Sequence, residues 1–223
     1  MGIENDLKRI RTEKNSTSSQ RLISFVCVVI LGGILGLVAK LVDTQGINPI
    51  FDDIGGRLGI WIFVAVLVSV FSYSPKLAAV KIFFFFSSLL IVYYLYTVFF
   101  LHFFSVKETL FWGICAVLSP VCAYVMWYAR GNGYVASIIL SLPVAVLLSE
   151  GYEIRNAYLP EHEHYYLVPI LMGIYLIMII ILLLVPEKKF MFFIVLPLAL
   201  MLSFIMMYFN VLRLIFGGLN GLV

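Results

Sequence analysis

The stretch LISFVCVVILGGILGLVA, residues 22–39, decides the fold. It carries no charge between Arg21 and Lys40, and it matches the roughly 18 residues that cross a bilayer as a helix. Hydrocarbon offers a backbone no hydrogen-bond partner, so an apolar run of that length pairs its own N–H and C=O groups by coiling. A secretory leader would have an apolar core of about 7–15 residues and then a small-residue cleavage site. This run is longer and no A-x-A follows, so it reads as a retained first span. Composition agrees. Hydrophobic residues make up 63% of the chain and charged residues 12%, against about 45–50% and 25% in soluble domains. That leaves too few polar groups to cover a water-facing surface.

Working outward, the same criterion places spans near 22–42, 58–73, 77–104, 109–129, 134–150, 166–185 and 190–213. Connectors at 74–76, 105–108, 130–133 and 186–189 are short, and those at 43–57 and 151–165 are longer. The expectation is an all-α, polytopic transmembrane helical bundle of about seven spans. A polar, basic tail over 1–21 precedes a single helical domain over 22–223. Cys27, Cys115 and Cys122 all fall inside apolar runs and read as small hydrophobes rather than a disulfide or zinc framework.

Orientation follows from Lys and Arg, which cytoplasmic segments retain. With the N-terminus inside, the inner segments hold Lys8, Arg9, Arg11, Lys14, Arg21, Lys76, Arg130, Lys188 and Lys189. The outer segments hold Lys40, Arg57, Lys107, Arg155 and Arg213. The excess predicts a cytoplasmic N-terminus and an external C-terminus.

On the first span Gly32, Gly36 and Lys40 recur every four residues, as do Ser137, Ser141, Ala145 and Ser149 on the fifth. Small residues at this spacing let helix backbones approach closely. They predict packing within the bundle, with a homodimer or a partner membrane subunit as the other use. Pro120, Pro143 and Pro197 each remove an intrahelical hydrogen bond, and Ser119 and Ser141 stand close enough to satisfy a freed carbonyl. Lys81, one turn into the third span, is expected to snorkel back to the interface.

The outer side gathers the unusual residues. Lys40 and Asp43 close the first span, and FDDIGGRLGIWIF, residues 51–63, opens the second with Asp52, Asp53 and Arg57. Glu150 and Glu153 close the fifth. Glu150 follows the apolar run Val144–Leu148, and an ionised group there is costly unless paired. The sequence therefore predicts a polar cluster of Lys40, Asp52, Asp53, Arg57, Glu150 and Glu153, with Glu150 meeting Arg57 or Lys40. It is either a charge network locking helix ends or the mouth of a ligand site. Asp52 or Asp53 would also cap the second span. Tyr93, Tyr94 and Tyr96 lie too deep for an interfacial belt and are the mid-membrane polar candidates, because a buried phenol needs a partner.

His162-Glu163-His164 departs from the helical H-E-x-x-H zinc signature. The chain has no nucleophile elbow, P-loop or nucleotide fingerprint, so no catalytic residue, cofactor, metal or nucleic-acid partner is expected. FDDIGGRLGIWIF, YSPKLAAVKIFFFF at 73–86 and LLSEGY at 147–152 resemble a family of small bacterial polytopic membrane proteins classed as a domain of unknown function. That resemblance implies a multi-pass protein of a bacterial plasma membrane and no activity. In architecture the chain also looks like the substrate-binding components of energy-coupling-factor transporters, from whose six spans it departs by a seventh. The expected function is binding or moving a small solute through an outward-facing polar cavity. The alternative is an accessory, scaffold or immunity-type protein acting by helix contacts.

Overall fold

The computed structural model describes residues 10–43, 57–102, 104–154, 167–212 and 214. Among them are seven α-helices: α1 (Ser18–Asp43), α2 (Leu58–Val70), α3 (Pro75–Leu101), α4 (Val106–Met126), α5 (Tyr134–Glu153), α6 (Leu167–Leu183) and α7 (Phe192–Tyr208). Four stretches are long and apolar enough to cross a membrane: Ser18–Leu41, Pro75–Leu101, Val106–Arg130 and Tyr134–Glu153. The apolar helices α2, α6 and α7 are shorter. Large apolar side chains such as Leu22, Phe99, Leu176 and Phe193 point outward, as expected where the surroundings are lipid.

Local chemistry sets the helix ends. Thr17 Oγ1 accepts from Gln20 N at 3.3 Å while Gln20 Oε1 accepts from Thr17 N at 3.0 Å, a reciprocal capping box. It starts α1 at Ser18, earlier than the apolar run alone indicates. Ser74 caps α3 by accepting from Leu77 N at 3.2 Å, with Pro75 at the first helical position, where a missing N–H costs nothing. His102, at φ 52°, turns the chain out of α3 at Leu101 rather than at the expected 104. Ser119 Oγ donates at 2.7 Å to the Ala116 carbonyl, the one that Pro120 frees. Ser141 bonds the Ile138 carbonyl instead, so the second half of that expectation is corrected.

The chain divides into two compact units: Thr12–Ile60 with Val64–Trp127, and Met1–Arg11 with Trp61–Phe63 and Tyr128–Val223. The first is built on α3, which packs most extensively against α1 and then against α4. Gly32 faces the Phe85 carbonyl, Gly36 faces that of Leu89, and Lys40 faces Tyr93. The offset of 53 residues is constant, so α1 and α3 run parallel and in register. Ser88 Oγ adds a bond to the Val29 carbonyl at 2.9 Å.

Trp127 in the same unit is 1% exposed and donates its indole N–H to the Ser72 carbonyl at 2.8 Å. Trp127→Phe keeps most of the ring but leaves that carbonyl without its donor. It is expected to cost about 1–3 kcal/mol, read as a lowered unfolding midpoint in detergent.

The second unit centres on α5, which packs against α7 and α6. The predicted small face of α5, Ser137, Ser141, Ala145 and Ser149, is buried throughout, and α7 buries Val195, Ala199 and Ser203. Both stripes repeat every four residues, the spacing of close helix contact without a hydrophobic drive.

Candidate functional site

Within the first unit, two residues expected in separate groups come together. Lys40, in the last turn of α1, is 8% exposed. Its ammonium donates to Tyr93 Oη at 3.4 Å and lies 4.8 Å from the centre of that ring. The helix C-terminus favours a cation, and the ring face adds cation–π attraction. Tyr93 meets Tyr94 edge-on at 5.2 Å, and Tyr94 meets Phe104 edge-on at 6.0 Å. Tyr96 instead stacks on Phe100 at 4.6 Å along its own helix. The three tyrosines therefore have different surroundings and do not form one polar group.

Lys81 corrects an expectation. It is 3% exposed and does not reach out to the interface. Its ammonium donates to Ser24 Oγ of α1 and sits 5.7 Å from the centre of the Tyr73 ring. The direction is legible in hindsight, because Ala78, Lys81, Ile82, Phe85 and Leu89 form one buried helical stripe.

Arg57 occupies the N-cap position of α2 in extended conformation, without a side-chain cap bond. The cap position is thus not an aspartate. Asp52, Asp53, Gly55 and Gly56 lie outside the described residues, as do Arg155 and His162-Glu163-His164.

In the second unit Glu150 is 7% exposed and Tyr175 of α6 is 2% exposed. Tyr175 Oη donates to Glu150 Oε2 at 2.9 Å. Gly151 packs beside Tyr175, and a methyl there would make an ordinary contact at 3.6 Å with that side chain. Ser149 is wholly buried, and among the described residues its hydroxyl has no hydrogen-bond partner. Glu153 is half-buried on the last turn of α5. Lys40 and Arg57 belong to the first unit and Glu150 and Glu153 to the second. Tyr175 escaped the sequence reading; its signal is a single phenol in the aliphatic helix LVPILMGIYLIMIIILL.

An apolar groove of about 540 Å³ runs along α4, lined by Phe104, Leu110, Gly113, Ile114 and Val117 among others. It contains none of the predicted site residues. Chemically, the carboxylate–phenol pair can take up a proton, a cation or a hydrogen-bond donor. The two buried ammoniums can hold an anion or an aromatic face. No protein-family model, curated protein or solved structure matches the chain, and the functional argument rests on these residues.

Proposed function

We propose that the protein is a non-enzymatic, seven-span protein of a bacterial plasma membrane, with a cytoplasmic N-terminus, that binds or helps to move a small solute. The solute carries a cationic or hydrogen-bond-donating group, recognised at the outward-facing end of α5. The Glu150–Tyr175 pair carries this reading: a carboxylate 7% exposed with a phenol at 2.9 Å, at the end of an apolar helix. Ionisable groups at such depth are costly and mark ligand or proton paths. The parallel register of α1 and α3 supports the span count. Two helices that run the same way side by side need the chain to return between them, and α2 lies on that return.

Glu150→Gln tests the reading. Native mass spectrometry of the detergent-purified protein is expected to show a co-purifying solute mass that this variant loses while its unfolding midpoint stays within a few degrees. If the variant lowers stability and no bound mass distinguishes it from the parent, the carboxylate is structural and the accessory, helix-contact reading replaces this one.

A further inference from the structure

One side of α4 is hollowed. Its groove of about 540 Å³ runs from Val106 to Leu118, with Phe104 of the α3–α4 connector at one end. Gly113 makes the hollow: a methyl there would find open space, whereas Gly32 and Gly36 each face a backbone carbonyl of α3. No packing contact requires glycine at this position, and its backbone is ordinary helix. Leu110, Ile114 and Val117 surround the gap, and all three are exposed. The Thr109 hydroxyl is engaged, donating to the Ser105 carbonyl at 2.7 Å. Among the described residues the lining therefore offers an occupant apolar surface alone.

Length and charge identify the occupant. Positions 106–118 cover roughly 18 Å of helix at about 1.5 Å per residue, close to the depth of one leaflet, about half of a 30 Å hydrocarbon core. Val106 opens a candidate span, so the groove begins at headgroup level. Lys107 is exposed there. It precedes Ile114 by seven residues and Leu118 by eleven, spacings that a helix sets on nearly one line. Among the described residues no carboxylate pairs with it. Glu108 instead precedes the buried Ser119 by eleven residues and so stands toward the bundle side. A cation thus heads an apolar groove one leaflet deep. A second copy suits it poorly, because a two-fold axis along the membrane normal would set Lys107 against Lys107.

We propose that the α4 groove seats an acyl chain of an anionic phospholipid, whose headgroup phosphate meets Lys107. A zwitterionic lipid offers the same chain but carries its own cation beside the phosphate.

The test uses the full chain in detergent, with native mass spectrometry of retained lipid after exposure to equal phosphatidylglycerol and phosphatidylcholine of matched chains. The expected result is a preference for phosphatidylglycerol of about fivefold, the size of one exposed ion pair. Lys107→Gln brings the two lipids to parity. Gly113→Leu fills the groove without displacing any neighbour, keeps the charge of Lys107 and also brings the ratio to parity, which attraction by the lysine alone would not do. Lys76→Gln, which removes a charge from an exposed position at the start of α3, leaves the preference intact. Equal retention by the parent, or a preference that survives either Lys107→Gln or Gly113→Leu, overturns the site. So does a dimer mass in the parent that Gly113→Leu abolishes, since it assigns the groove to a second copy. Should Gly113→Leu fail to fold, Gly113→Val provides a smaller plug, and parity in that variant upholds the site while an undiminished preference overturns it.

Discussion

Gly36→Leu is expected to unseat α1 from α3 and prevent isolation of a folded protein, and Gly36→Ala to cost about 1–3 kcal/mol or more. A Cβ at this position would land on the Leu89 carbonyl oxygen, with that residue's Cα only 3.0 Å away. These are backbone atoms of a facing helix, so no rotamer change can make room. The helices must separate, and the separation spreads along the register. It loosens the bond from Ser88 to the Val29 carbonyl and the seat of Lys40 on Tyr93. In lipid nothing replaces that loss, because helix association there depends on close packing and hydrogen bonds rather than on expelled water. The neighbouring glycine supplies the control. A Cβ at Gly33 would meet only Val92 Cγ2 at 3.6 Å, an ordinary contact with a side chain that can shift. Gly33→Ala is expected to be neutral or slightly stabilising, since alanine favours helix by about 1 kcal/mol. Denaturation by dodecyl sulfate titrated into mixed micelles measures the two alanine variants, and the yield of folded protein reads out Gly36→Leu. Equal midpoints for Gly36→Ala and Gly33→Ala would sink the close-packing account.

The contrast shows what the sequence made legible. Gly32, Gly36 and Lys40 stand on one face by spacing alone, and all three are buried. That Tyr93 stands opposite Lys40 could not be read, because the register between two helices is a property of their packing. The spacing gives Lys40 a direction around α1, whereas Tyr93 is marked only by its depth along a span. The same gap explains Lys81. Hydropathy reports how far a residue lies from the interface, while burial depends on which side of the helix it faces. Glu150 was legible as an acid in need of a partner. Its phenol was not, since a single Tyr175 among aliphatic neighbours leaves no local pattern. The start of α1 illustrates the reverse. The T-x-x-Q signature at Thr17–Gln20 is plain in the sequence, but a hydropathy boundary begins only where polarity stops, at Leu22.

Lys81→Met is expected to stabilise the α1–α3 pair by about 1–4 kcal/mol, although it deletes a hydrogen bond. The ammonium is 3% exposed, and among the described residues no carboxylate pairs with it. Its contacts are the Ser24 hydroxyl and, more distantly, the Tyr73 ring. A hydroxyl and a ring face return only part of the solvation a cation loses on entering hydrocarbon. Methionine fills a similar volume, carries no charge and adapts to irregular gaps. Ser24→Ala should act in the opposite direction, destabilising by about 1–3 kcal/mol because it strips the buried ammonium of its oxygen. In the Lys81→Met background the same Ser24→Ala change should cost almost nothing, and the coupling between the two positions measures their bond. A cost of several kcal/mol for Lys81→Met alone would show that the ammonium is integral to the fold. A gain in stability raises a functional question, because a destabilising residue is either tolerated above the stability threshold or retained for a function that stabilisation would cost. The resulting protein would be firmer and, if Lys81 serves the solute or a proton, impaired. An uptake or bound-mass measurement on this stabilised variant would therefore separate a lysine kept for work from one that is merely tolerated.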